Sequence, residues 1–180
     1  MRVITGSARG AKLATLSGDE MVRPTSDMIK GAMFSAIQFY VAGAKVLDLF
    51  AGSGQLGIEA LSRGAANCVF VDASRDACDI IKENLLKTKL FRQARVMTGD
   101  AAGYLSHAKD KFDLIFADPP YHRGIMAGAL PLIAPLVAER GLVICETESG
   151  AELPQTVGAL TLKKRYGHGR IAWWLYQNEA

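Results

Sequence analysis

A chain of 180 residues, 49% hydrophobic and 22% charged, is long enough to bury a substantial core as an ordinary soluble domain. Its 21 basic and 18 acidic residues leave a net charge of +3, which is compatible with a nucleic-acid partner without arguing for one. Its longest apolar stretch, Ile125 to Ala138, carries Pro131 and Pro135 and is too short and broken to span a bilayer, and the opening Met1-Arg2-Val3-Ile4-Thr5-Gly6 lacks the apolar core of a signal peptide. No membrane association and a cytoplasmic location are expected.

In chain order, Arg2 to Thr5 and Ala11 to Thr15 are expected to pair as a small hairpin around Ser7-Ala8-Arg9-Gly10. After Arg23-Pro24-Thr25 a helix is expected from Ser26 or Asp27 to about Tyr40, capped by Thr25 or Ser26. Residues 1–44 therefore read as an N-terminal extension packed on a main domain at 45–180. From Lys45 onward, apolar strands alternate with amphipathic segments. Strands are expected at Val46–Phe50, Cys68–Val71, Arg95–Thr98, Phe112–Ala117 and Leu142–Glu146, with helices between them. Leu160–Tyr166 and Ile171–Tyr176 read as a hairpin across Gly167-His168-Gly169-Arg170. The rhythm predicts an α/β, Rossmann-like fold: a mostly parallel seven-stranded sheet covered by helices on both faces and closed by an antiparallel pair.

The first strand runs into Asp48-Leu49-Phe50-Ala51-Gly52-Ser53-Gly54-Gln55-Leu56-Gly57. Gly52, Gly54 and Gly57 match G-x-G-x-x-G between a strand and a helix, and Asp72 ends the next strand, as in a dinucleotide site. Asp48 argues against a dinucleotide, because a pyrophosphate on that helix N-terminus would meet a nearby carboxylate. A ligand with a positive centre is attracted instead. S-adenosylmethionine has an ammonium, a sulfonium and no phosphate. Phe50, Ala51, Gly52, Ser53, Gly54 and Gly57 would approach its methionine and ribose parts. Asp72, with Ala73, would take the ribose hydroxyls, and Asp100 and Ala101 the adenine edge.

At the end of the fourth strand stand Asp118-Pro119-Pro120-Tyr121. The Asp118 carboxylate can accept one N–H of an exocyclic amine and the Pro119 carbonyl the other. Pro120 stiffens the loop and Tyr121 can stack on the base. Asp48, Asp72, Asp100 and Asp118 thus end four successive strands on one edge of the sheet. Arg2, Arg9, Lys12, Arg23, Lys163, Lys164, Arg165 and Arg170 gather toward the two ends of the chain. In the tail they mix with Tyr166, His168, Trp173 and Trp174, a composition suited to RNA phosphates and unpaired bases. A substrate whose folded shape supplies specificity is expected, more than a sequence-read DNA site. Cys68, Cys78 and Cys145 show no C-x-x-C spacing and read as buried free thiols in a reducing compartment. With His107, His122 and His168 scattered, no metal site is expected.

On these motifs the chain resembles class I methyltransferases with a D-P-P-Y amine motif. More narrowly, it resembles the bacterial RsmD-type guanine-N2 methyltransferases of 16S ribosomal RNA. The narrower resemblance rests on Ile4-Thr5-Gly6 with Arg9-Gly10, Arg23-Pro24-Thr25-Ser26-Asp27, Glu59-Ala60-Leu61-Ser62-Arg63-Gly64 and the tail from Lys164 to Tyr176. The chain departs from the family at Met28 and Gly31, where Arg and Glu are usual, and at Asp72-Ala73-Ser74, where the family has E-x-D/N. The resemblance implies methyl transfer from S-adenosylmethionine to the N2 amine of a guanine in 16S ribosomal RNA. The expected substrate is an assembled or assembling small subunit, and the enzyme is expected to act as a monomer. The residue chemistry alone reaches the same reaction type but chooses neither guanine over adenine nor the RNA position. An adenine or cytosine amino-methyltransferase, a nicotinamide oxidoreductase and a non-catalytic ribosome-assembly factor remain the competing readings.

Overall fold

Strands that are apolar on both faces are stable only between two helical layers, and this chain builds that arrangement. The computed structural model describes residues 1–16, 27–120 and 124–180. Arg23, the Thr25 or Ser26 cap, His122 and Tyr121 lie outside the described residues. The strands are β1 (Lys45–Leu49), β2 (Asn67–Asp72), β3 (Ala94–Thr98), β4 (Phe112–Ala117), β5 (Val137–Glu148), β6 (Thr156–Val157), β7 (Leu160–His168) and β8 (Ile171–Asn178). They form one eight-stranded sheet in the order β3-β2-β1-β4-β5-β8-β7-β6. β1 to β5 pair in parallel, while β8, β7 and β6 add on as antiparallel neighbours. The expected count of seven strands is corrected to eight. The extra strand, β6, has two residues, too few for a periodic pattern to show in the sequence.

The helices are α1 (Asp27–Ala36), α2 (Gln55–Ser62), α3 (Arg75–Lys87), α4 (Ala101–His107) and α5 (Ile125–Ile133). The first helix does not run to Tyr40. It stops at Ala36, Ile37 leaves helical geometry at φ −111° and ψ 11°, and Gln38–Tyr40 form a separate 3-10 turn. Ile37 is fully buried in the core, so packing wins over continuation of the helix. One core fills the face carrying α1, α2, α3 and the N-terminal residues, with Val3, Phe34, Val46, Ile58, Phe116 and Ile144 among its members. The other fills the face under α4 and α5, with Leu47, Ile115, Leu130, Val143 and Tyr176.

Among the described residues, the expected N-terminal hairpin is reduced to a single bridged pair, Arg2 with Lys12. The segment is held to the body of the molecule more than to itself. The fully buried Glu59 accepts from the Ile4 and Thr5 amides at 2.8 and 3.0 Å. It also pairs with Arg63 at 2.8 Å and with buried Lys30 at 3.6 Å. Lys30 donates in turn to the Arg2 carbonyl at 2.6 Å, and burial lowers its affinity for its proton. Asn84 on α3 joins the same segment to the first strand-to-helix turn: its side chain bonds Ala14 through both amide atoms and donates to the Ser53 carbonyl. No helix among the described residues is long and apolar enough to cross a membrane.

Candidate active site

The strand order reverses at β1, which has β2 on one side and β4 on the other. In open parallel sheets, ligands bind beyond the carboxyl ends of the strands at such a reversal. Asp48 is the penultimate residue of β1, Asp72 ends β2, Asp100 follows β3 and Asp118 follows β4, so all four lie on that edge. The chain leaves β1 through Phe50 at φ +61°, a conformation a bulky side chain rarely adopts, then through Gly52 at +56° and Gly54 at +76°. The glycines differ in what requires them. A Cβ on Gly57 would stand 2.3 Å from the Phe70 ring and 2.7 Å from the Cys68 sulfur, so Gly57 sets how closely α2 lies on β2. A Cβ on Gly54 would press Ile81 at 3.1 Å, whereas Gly52 has nothing within 4 Å and leaves its side of the turn open.

Gly54, as the N-cap of α2, has no side chain with which to cap the helix. Asp48 takes that place, its Oδ2 accepting the Gly57 amide at 2.8 Å. Asp48 is 2% exposed, and burial pushes its carboxyl up to about 7 despite the Gly57 bond, with Asp72 adding a smaller push. Asp72 accepts the Gly52 amide at 2.8 Å and the Ser74 amide at 2.9 Å, which fixes its carboxylate across the turn. Each of its oxygens keeps a second lone pair for a hydroxyl. The Ala51 amide is engaged by the Val71 carbonyl at 3.0 Å, and Ser53 Oγ contacts the Met1 sulfur at 3.4 Å. Ala73 is exposed beside Asp72. Asp100 is exposed and caps α4, its Oδ1 accepting the Gly103 amide at 2.8 Å, with Ala101 the first residue of that helix. Buried Gln55 opens α2, and its Oε1 finds no donor among the described residues. The residues present fit S-adenosylmethionine on two counts. Buried Asp48 and the half-buried Asp72 carboxylate favour a cation at the turn, and the orphaned Gln55 oxygen lacks an N–H donor of the kind an ammonium brings.

Asp118 continues the β1–β4 pairing through its amide, which reaches the Leu49 carbonyl at 3.5 Å. Burial, then the charges of Glu146 and Asp48, hold its carboxyl well above the usual carboxylate range. Pro119 is buried and Pro120 exposed. Both line a shallow pocket open to solvent, together with Met126, Glu146, Thr147 and Leu153. Sequence reading passed over Gln55, Asn84 and Glu146. Glu146 carries the signal that picked out the four aspartates, an acid at the end of a buried apolar strand.

The basic residues are less unified. Arg2, Arg9 and Lys12 are exposed on the N-terminal segment, where Arg2 pairs with Asp27 at 2.9 Å. Lys164 and Arg170 are exposed on the tail, Lys164 lying 4.7 Å over the Tyr166 ring. Arg165 donates to the Ser149 carbonyl and lies 4.9 Å over Trp174, while Lys163 pairs with Glu179. Trp173 and Trp174 are 3% and 5% exposed, and the Trp174 indole donates to Thr147 Oγ1 at 2.8 Å. They are core residues. Tyr166 is half-buried and stacks on Trp173 at 3.8 Å.

The sequence profile of the family described as Conserved hypothetical protein 95 matches residues 1–177. The chain belongs to this family. Among its relatives is a provisionally assigned rRNA methyltransferase of Bacillus subtilis, 41% identical over 174 residues, with 94% of each chain covered. Another is the ribosomal RNA small subunit methyltransferase D of Escherichia coli, 32% identical over 182 residues, covering 100% of this chain and 91% of the relative. A solved structure from Escherichia coli, described as a provisionally assigned methyltransferase, superposes with a TM-score of 0.90 at 33% identity. It covers 100% of this chain and 98% of the other. The described residues therefore share the class I methyltransferase fold.

Proposed function

We infer that this chain transfers a methyl group from S-adenosylmethionine to the exocyclic N2 amine of a guanine in 16S ribosomal RNA of the small subunit. One observation carries the reading. The glycine turn with buried Asp48 and amide-held Asp72 shares a sheet edge with Asp118-Pro119-Pro120, and an open pocket adjoins the prolines. The likeness to ribosomal RNA small subunit methyltransferase D supports the substrate.

When bound, S-adenosylmethionine supplies an electrophilic methyl on a sulfonium. Asp48 and the Gln55 oxygen would meet its positive end, Asp72 its ribose, and Asp100 with Ala101 its adenine. Guanine N2 is a weak nucleophile because its lone pair is delocalised into the ring. Asp118 and the Pro119 carbonyl would take its two N–H groups, turning the lone pair toward the methyl and stabilising the positive charge that develops. Burial pushes the free Asp118 carboxyl upward, and the positive charge of the bound cofactor would favour its ionised form, which then holds the amine and receives the proton released after transfer. The base must leave its stack to reach this pocket. Tyr121 would stack on it there. Residues 1–44 form the RNA-contacting extension, with Arg2, Arg9, Lys12 and Arg23 on phosphates and Lys164, Arg165 and Arg170 adding from the tail. The enzyme acts as a monomer on an assembled or assembling small subunit in the cytoplasm.

The test is transfer of labelled methyl from S-adenosylmethionine to naked 16S RNA and to small subunits from cells lacking the gene, followed by digestion to nucleosides. N2-methylguanosine is expected, most strongly from the particle. Label in N6-methyladenosine would overturn the choice of base, and no label despite cofactor binding would overturn the choice of acceptor.

A further inference from the structure

Guanine, adenine and cytosine all carry an exocyclic amine, but they differ in what stands beside it. In guanine the amine neighbours N1–H, a donor. In adenine it neighbours N1 and in cytosine N3, both bare acceptors. On its other side the guanine amine neighbours bare N3, so a carboxylate next to the amine-holding group attracts guanine and repels the other two bases when it stands on the N1 side.

This chain places such a carboxylate. β4 and β5 pair in parallel with Ala117 opposite Cys145. Continuation of that register by one residue sets Asp118 and Glu146 on the same sheet face, at a strand spacing of about 4.8 Å. Glu146 is 4% exposed, yet it lines the pocket that Pro119 and Pro120 open. Its charge reaches Asp118, whose carboxyl it helps to push up. Glu148 and Glu152 line the same pocket, so its described wall is acidic. With a cationic cofactor beside them favouring the ionised form of both, the two neighbouring carboxyl groups match two neighbouring donors, the N2 amine and N1–H of guanine.

We propose that Glu146 selects the base: with Asp118 on the exocyclic amine, the Glu146 carboxylate accepts the ring N1–H of guanine and excludes bases that present a lone pair there. The proposal rests on the amine-methylation reading above and adds to it the residue that distinguishes guanine from adenine.

2-Aminopurine keeps the 2-amine but has a bare N1. Small subunits reconstituted with 16S RNA carrying guanine or 2-aminopurine at the methylated position would be offered to the wild-type chain and to Glu146→Gln. A site built around an N–H rejects an analogue lacking it by about 10⁴-fold, so the wild type is expected to prefer guanine by at least about 10³-fold. The Gln side chain can accept from N1–H or donate to a bare N1, so E146Q is expected to narrow that preference at least tenfold, with cofactor affinity unchanged. The missing O6 of 2-aminopurine affects both proteins alike and cancels in the ratio of preferences. Equal methylation of the two bases by the wild type overturns the proposal, as does an undiminished preference in E146Q. Should E146Q fail to fold, Glu146→Asp withdraws the carboxylate by one methylene. The guanine rate should then fall with the 2-aminopurine rate unchanged, and equal falls overturn the proposal. Absence of N2-methylguanosine from the wild type would instead refute the proposed reaction itself.

Discussion

A carboxyl buried as deeply as Asp48 holds its proton until the pH nears about 7, and that value sets where a cation meets the ionised form. If the ionised form receives S-adenosylmethionine, affinity should rise about tenfold per pH unit below 7 and level off above it. Titration calorimetry in buffers of different ionisation enthalpy should detect the released proton. The ligand-free chain should show the opposite trend. Its folded Asp48 lies above the ordinary 3.8, so the stability this group contributes is present below that value and is lost as pH rises through about 7. Asp118 shifts in the same direction. Thermal melts at pH 5.5 and 8, with and without cofactor, would show whether ligand reverses the sign. For the chemistry, Asp118→Ala is expected to lower the methylation rate by roughly 10² to 10³-fold, the cost of removing a group that stabilises transition-state charge. Cofactor affinity should stay nearly unchanged. Parallel loss of both would make Asp118 a structural residue.

At the scale of elements, the contact between α2 and β2 decides whether the glycine turn keeps its shape. Gly57 lies where a methyl group would stand 2.3 Å from the Phe70 ring. Phe70 is fully buried in the core, so it has little room to yield. Gly57→Ala should therefore destabilise the fold by about 1–3 kcal/mol, the usual cost of overpacking, although alanine is the better helix former. Urea denaturation would measure it, and an unchanged midpoint would mean that the helix can shift. The N-terminal segment depends on a different kind of contact. Glu59 and Asn84 hold it by hydrogen bonds to its backbone, so its attachment is written into two helices that follow it in the chain.

Across the whole molecule, four aspartates gather at the carboxyl edge of the parallel strands, while exposed basic residues lie on the N-terminal segment and the tail and also on α3, β3 and the loops. A modest net charge of +3 therefore says little about the local field at either place. RNA affinity should fall with salt, and Arg9→Ala with Lys12→Ala should make the logarithmic salt slope shallower by about 2 if each residue neutralises one phosphate. Filter binding from 50 to 200 mM salt would read this. An unchanged slope would remove the N-terminal segment from the interface.

The sequence by itself carried the alternation of strands and helices, the glycine turn and the acid-proline motif, because each is a local pattern set by side-chain periodicity or backbone freedom within a few residues. Four aspartates could be placed on one edge because parallel strands put all their carboxyl ends on the same side. Only the tertiary structure decided what depended on neighbours distant in the chain. It buried Trp173 and Trp174 that composition had offered to RNA, added the two-residue β6, and tied the opening segment to Glu59 and Asn84. It also set Glu146 beside Asp118. Those two residues meet because the β4–β5 register is fixed by packing on both faces of the sheet, which neither strand specifies alone.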